Sequence, residues 1–202
     1  MLRSLVGSEM CIRDRFDTAI EKSVSISERS KDLLARRGKI LDRDGIINQE
    51  RGTYTYQLQD FIILPHVLEF LFRLKDLNFK LIVVTNQSGI SRGLYTKDQM
   101  NACHDFLQQE SQNIIDDFYY APIHPKVSNS LSRKPDSLMF ERAISKHYIS
   151  VKDSFMIGDK ERDLIPARKL GIATIILGNN ILTEYADYRV SEILEVLHVV
   201  EF

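Results

Sequence analysis

Cysteine is scarce in this chain: Cys11 and Cys103 are the only two among 202 residues, far apart and without a C-x-x-C or Cys/His cluster around them. That argues against a disulfide framework and a thiolate-built zinc site, and it fits a reducing cytoplasm. An excess of charge of either sign is also missing. With 27 Lys and Arg against 28 Asp and Glu, the formal net charge is -1, which offers no broad attraction to nucleic acid or an anionic membrane. An anion must therefore be recognised by cations placed locally. No apolar run approaches the roughly 18 to 20 residues needed to span a bilayer, and the N-terminus lacks a secretory h-region. Internal repeats and low-complexity tracts are absent as well. What remains is a soluble chain with a small-molecule partner. Its 44% hydrophobic content is enough to cover both faces of a central sheet in one domain of ordinary size.

Residues 1–37 read as an N-terminal extension, mixing Arg, Lys, Ser and Glu with scattered apolar positions such as Ile20, Val24 and Leu33. Within it, Leu5 to Arg15 resembles translated sequencing-adaptor sequence, so residues 1–15 are read as artefactual and set aside. From residue 38 to 202, short β-branched runs alternate with amphipathic segments, the pattern of βαβ units and a mostly parallel sheet. The fold class is α/β. Val67 to Leu77 carries helical spacing after Pro65, and Leu81-Ile82-Val83-Val84 reads as a strand buried on both faces. A helix is capped by Thr96, a strand lies around Phe118 to Tyr120, and Leu138 to His147 is helical. Ser154 to Ile157 is a strand running into Gly158-Asp159, and the helix after it ends near Gly171. Ala173 to Leu177 is a strand, and the segment from Asp187 to Val200 holds a last short strand and a closing helix. Before Asp42, however, Arg36, Arg37, Gly38 and Lys39 leave only Ile40 and Leu41 as apolar residues, which predicts a short or strained first strand.

Four polar clusters fall at predicted strand ends or in adjoining loops: Asp42 and Asp44, Thr85 to Ser88, Arg133 and Lys134, and Asp159 with Lys160 and Asp163. The C-terminal edge of a parallel sheet is where ligands bind. In extended backbone, residues i and i+2 project to the same side, so Asp42 and Asp44 can share a cleft. Each cluster also has a plain structural reading: an Asx turn after a strand, a capping turn, a solvated loop cation, a helix N-cap, a first-turn acid. Their joint order favours chemistry.

That order, D-x-D-G, then a strand ending T-N-Q-S-G, then R-K-P, then G-D-K-x-x-D, resembles the haloacid dehalogenase (HAD) superfamily of phosphohydrolases over roughly residues 39 to 190. Within it, Asp42 to Asn48 and Thr85 to Gly93 look most like the heptose bisphosphate and histidinol-phosphate phosphatases. The resemblance implies a Rossmannoid three-layer sandwich. Asp42 to Thr85 spans 43 residues and Thr85 to Lys134 spans 49; once helices and strands are subtracted, neither interval leaves room for a cap domain, so the site is expected to be open.

Phosphate monoesters need up to ~10²¹-fold acceleration, which no single group supplies. Asp42 is expected to attack phosphorus and form an aspartyl-phosphate, and Asp44 to give a proton to the leaving oxygen and later take one from water. A hard divalent cation, Mg²⁺, offsets the repulsion between nucleophile and phosphate; the resemblance implies Asp42, the Asp44 carbonyl and Asp159 as its ligands, with Asp163 behind them. Thr85, the Asn86 main-chain N–H and Lys134 fit the role of donors to the transferring phosphoryl group. The resemblance assigns substrate contacts to Glu50, Arg51, Gly52 and Thr53, to Thr85, Asn86, Gln87 and Ser88, and to Arg133, Lys134 and Lys160. Of these, Arg133 and Lys160 are read as holders of a second phosphate.

One departure concerns zinc. Many heptose bisphosphate phosphatases carry a Cys/His zinc loop before R-K-P, but here the region reads Ala121-Pro122-Ile123-His124-Pro125 and then Ser130-Leu131-Ser132. No structural zinc is expected, and His124 is read as a structural loop residue. The resulting expectation is a cytoplasmic, monomeric, Mg²⁺-dependent sugar-phosphate phosphatase that converts D-glycero-D-manno-heptose 1,7-bisphosphate to the 1-phosphate in the supply of lipopolysaccharide precursors. A histidinol-phosphate phosphatase and an inactive phosphate-binding protein are the alternatives. Balanced charge disfavours action on nucleic-acid ends.

Overall fold

The computed structural model describes residues 36–178 and 183–200, so the extension read at 1–37 lies outside the described residues except for Arg36 and Arg37. Six strands form one all-parallel sheet: β1 (Arg36–Leu41), β2 (Lys80–Asn86), β3 (Asp117–Ala121), β4 (Ile149–Gly158), β5 (Ala173–Leu177) and β6 (Tyr188–Val190). Their order is β3-β2-β1-β4-β5-β6. The chain steps outward from β1 to β3, then returns to the other side of β1. The strand order therefore reverses at the C-terminal ends of β1 and β4, the place where open α/β sheets bind ligands.

Helices cover both faces. Along every central strand neighbouring residues face opposite ways, as the pleat requires: Leu41, Leu81, Val83, Ile157 and Ile175 enter one core, and Ile40, Ile82, Val84, Met156 and Ile176 the other. The first core is closed by α1 (Val67–Asp76), α2 (Lys97–Glu110) and α5 (Glu195–Val200), through Phe70, Leu71, Leu74, Cys103, Leu107 and Val196. Met139, Phe140 and Ala143 of α3 (Leu138–His147), with Leu164 and Ala167 of α4 (Glu161–Lys169), close the second. The result is the three-layer sandwich expected from the sequence. Thr96 caps α2 with a full capping box, its side chain accepting from Gln99 N while the Gln99 side chain accepts from Thr96 N. Among the described residues, no helix is long and apolar enough to cross a membrane.

β1 departs from the expectation of a short strand. It has six residues and lies at the centre of the sheet, paired with both β2 and β4. Lys39, fully buried, lies between the rings of Phe79 and Phe155, with Nζ 3.9 and 3.7 Å from their centroids. Two aromatic faces from elsewhere in the sequence thus make an interior position habitable for a lysine. The irregularity anticipated for β1 falls at its border with β4, where the pairing jumps from Arg37–Ser150 to Lys39–Phe155.

Candidate active site

The loop after β1 is wound tightly by its own backbone. Arg43 O accepts from Ile47 N at 2.8 Å and Asn48 N at 3.1 Å, and Gly45 N donates to Asn48 O at 2.8 Å. Gly45 has φ +93°, and a Cβ there would stand 2.4 Å from Asp159 Oδ2. Glycine therefore meets two demands at once: a left-handed backbone and room for the carboxylate arriving from β4. Gly158 meets the second demand alone, leaving room for Asp163, whose Cβ would lie 2.5 Å from a Cβ at that position.

Asp42 is buried directly beyond β1. Its Oδ1 accepts from Lys134 Nζ at 2.7 Å and from Arg43 N at 2.8 Å. Lys134 is equally buried and spends its ammonium on three oxygens: Asp42 Oδ1, Val84 O at 2.8 Å and Asp163 Oδ1 at 2.8 Å. Burial alone would lower Lys134, but the Asp163 and Asp42 carboxylates outweigh it and hold the ammonium above its ordinary value. Burial, reinforced by Asp163, raises Asp42, while Lys134 pulls it back. Asp159 is raised by burial and then by Asp42. These shifts describe one over-charged acidic floor stabilised chiefly by a single lysine.

Asn86 fixes that lysine. Its side chain accepts from Lys134 N at 3.0 Å and donates to Lys134 O at 3.1 Å, a two-point clasp on the peptide backbone. Thr85 Oγ1 and Asp44 Oδ2 accept from Gln87 Nε2 at 2.9 and 3.2 Å, and Tyr95 Oη donates to Gln87 Oε1 at 2.6 Å. Asp44 is heavily engaged: Arg43 donates to it through Nε and Nη2, and Asn48 Nδ2 through a 2.9 Å bond. To act on a leaving oxygen, Asp44 must exchange one of these donors for the substrate.

Oxygens of Asp42, Asp159 and Asp163 lie within 4.8 Å of one another, and buried Asp159 Oδ1 has no hydrogen-bond partner. An all-oxygen, anionic donor set with an unmet oxygen fits a hard divalent cation.

A cleft of about 410 Å³, within the size range of small-ligand sites, opens above this floor. Asp42, Asp44, Glu50, Gly52, Thr53, Thr85, Asn86, Gln87, Ser88, Arg133 and Lys160 of the sequence-predicted set line it. Lys134 and Asp159 are not in that lining; they contact Asp42 and Lys160 respectively, from beneath. Arg51 is not brought to the cleft: its guanidinium pairs with Asp60 at 2.6 Å. Lys160 is paired with Glu50 and, at 3.2 Å, with Asp159. Sequence reasoning missed Tyr54, Thr55, Arg92 and Arg162, and it gave His124, also at the cleft, a purely structural role. Arg162 had a usable signal, two positions after Lys160 in the first turn of α4; Tyr54 and Thr55 directly continue the predicted Glu50–Thr53 loop, whose irregular course hides how far along it the cleft extends. The loop holding His124 is fastened by His124 N to Ser91 Oγ at 2.8 Å and Ser91 N to Pro122 O at 3.2 Å.

A parallel sheet with buried carboxylates and a lysine at its reversal point defines an HAD-like hydrolase, and the HAD-hydrolase-like family model matches residues 131–194. Similarity extends well beyond that segment. The D-glycero-beta-D-manno-heptose-1,7-bisphosphate 7-phosphatase of Helicobacter pylori J99 is 36% identical over 75% of this chain and 86% of its own length. The enzyme of that name from Haemophilus ducreyi is 33% identical over 71% and 84%. The crystal structure of D,D-heptose 1,7-bisphosphate phosphatase from B. bronchiseptica, complexed with magnesium and phosphate, superposes with a TM-score of 0.75 at 26% identity, covering 82% of this chain and 98% of that one. The chain belongs to the heptose-1,7-bisphosphate 7-phosphatase family of HAD-type hydrolases.

Proposed function

We propose that this chain is a Mg²⁺-dependent phosphatase that removes the 7-phosphate of D-glycero-D-manno-heptose 1,7-bisphosphate and leaves the 1-phosphate. The observation that carries the chemistry is Asp42: one carboxylate oxygen is held by Lys134 and Arg43 N, and among the described residues the other has no hydrogen bond. The relatives' names, at 33–36% identity over most of their length, carry the substrate.

Asp42 Oδ2 forms a bond to phosphorus as the bond to the sugar oxygen breaks, and Asp44 delivers a proton to that oxygen. Water then attacks the same phosphorus, Asp44 takes its proton, and the Asp42 carboxylate is released. Lys134, Thr85 and the Asn86 N–H stabilise charge on the transferring oxygens. Asp42, the Asp44 carbonyl and Asp159 would hold Mg²⁺, with Asp163 supporting Lys134 behind them. Bound there, the ion supplies neutralising charge between two anions that must meet. Gly52, Thr53, Gln87 and Ser88, with the Glu50–Lys160 pair, shape the place of the sugar.

Phosphate release with added Mg²⁺, across heptose 1,7-bisphosphate, other sugar phosphates and histidinol phosphate, tests the reading. The heptose bisphosphate is expected to give the highest kcat/KM. A clear preference for histidinol phosphate would overturn the substrate assignment.

A further inference from the structure

Most cations around the cleft already have a partner, Arg92 included, which donates to Tyr54 Oη at 3.2 Å. Arg43 is bound to Asp44, Lys134 to Asp42 and Asp163, and Lys160 to Glu50 and Asp159. Arg133 and Arg162 differ. Both line the cleft, and buried nitrogens of both, Arg133 Nη1 and Arg162 Nε, make no hydrogen bond. Among the described residues, neither guanidinium has a carboxylate partner. A buried donor left unmet forfeits the hydrogen bond it had to water. Burial, and then the nearby Arg162 charge, push the Arg133 guanidinium below its ordinary value, so the two cations also repel.

An anion between them would offset the repulsion of two cations that both line the cleft. Two planar forks suit the oxygens of a dianionic phosphate, which an arginine can grip at two points. We propose that Arg133 and Arg162 together seat the phosphate that is not transferred, and that Arg162, rather than Lys160, is Arg133's partner in this task. This inference rests on the reading of the substrate as a sugar bisphosphate. Lys160 serves instead to hold Glu50 and the substrate loop against the β4 edge, because its ammonium is already engaged by two carboxylates.

The test compares full-length wild type with Arg162→Gln, Arg162→Lys and Lys160→Met in the presence of Mg²⁺. The substrates are heptose 1,7-bisphosphate, fructose 1,6-bisphosphate and p-nitrophenyl phosphate, which has no second phosphate. Arg162→Gln is expected to lose about 10- to 100-fold in kcat/KM on the sugar bisphosphate, mainly through KM, as the loss of charge-assisted hydrogen bonds predicts. Its loss on p-nitrophenyl phosphate should be at least ten times smaller. Arg162→Lys, which keeps the charge and loses the fork, should show the same selectivity in smaller measure, and it serves should Arg162→Gln fold poorly. Arg168→Gln, on the same helix but paired with Asp187, is the activity-neutral control. Equal losses on all substrates, no loss, or a larger selective loss in Lys160→Met would overturn the proposal. If wild type ignores the heptose substrate while Arg162→Gln selectively loses fructose 1,6-bisphosphate, the heptose reading fails and the arginine seat stands.

Discussion

Among the described residues two lysines are buried, and they live by opposite rules. Lys134, under the cleft, donates hydrogen bonds to Asp42 Oδ1 and Val84 O and forms an ion pair with Asp163. Lys39, three residues before Asp42 in β1, has no hydrogen-bond partner at all and lies between two aromatic rings. Burial dominates at Lys39 and, with Arg37, holds it down to about 6, whereas at Lys134 burial is outweighed by the Asp163 and Asp42 carboxylates together, which hold it up. Ring faces favour an ammonium by about 2 kcal/mol each when desolvated. Burying a charge costs several kcal/mol, so the rings soften the penalty at Lys39 without cancelling it. A buried charge survives here where carboxylates need it.

Breaking the Lys134 side of the comparison has the largest consequences. Asp42→Asn is expected to lower kcat by at least about 10⁴-fold, as removal of a covalent nucleophile does, while circular dichroism and the thermal midpoint report an intact fold. Lys134→Met should cost roughly 10²- to 10³-fold in kcat, by loss of a preorganised cation. It should also destabilise the fold by about 3–5 kcal/mol, because Asp42 and Asp163 are left buried without a counter-charge; urea denaturation measures the second effect. Asn86→Ala removes the clasp on the Lys134 backbone and should lower kcat by about 10- to 100-fold, the scale set by a 1 Å displacement of a catalytic group. Steady-state kinetics at saturating substrate checks this, and an unchanged kcat would show that the Asp42 and Asp163 contacts alone position the ammonium.

The Lys39 side should respond in stability alone. Its pKa of about 6 in the folded chain against an ordinary 10.5 means that the folded state binds fewer protons than the unfolded state between those pH values. Stability therefore rises with pH across that window and is lost as pH falls, by up to about 1.4 kcal/mol per unit. Lys39→Met removes this dependence. The stability of the variant relative to wild type is expected to fall by roughly 4 kcal/mol between pH 7 and pH 10 in urea melts, about 1.4 kcal/mol per unit. A gap independent of pH would show that Lys39 stays charged between its rings.

The same contrast explains what could be read without coordinates. Leu138–His147 and Ala173–Leu177 were legible to the residue, because a helical stripe and a β-branched run are local signals. The strand-end clusters were legible as one site because parallel topology brings C-terminal strand ends to one edge. β1 was under-read because the residues that shelter Lys39, Phe79 and Phe155, lie 40 and 116 positions away. Likewise, nothing local shows that Arg51 is captured by Asp60, or that Lys160 is matched with Glu50 across 110 positions. Motif positions could be recognised from spacing; whether a cation there is already paired could not.

The central claim is that Asp42 becomes esterified to phosphorus before water acts. The stereochemical course at a thiophosphoryl group made chiral with two oxygen isotopes, hydrolysed in water carrying the third, tests it most directly. Two successive in-line displacements, first by Asp42 and then by water, predict retention of configuration in the released thiophosphate. Inversion would mean that water attacks the substrate in a single step, and would contradict the covalent role of Asp42.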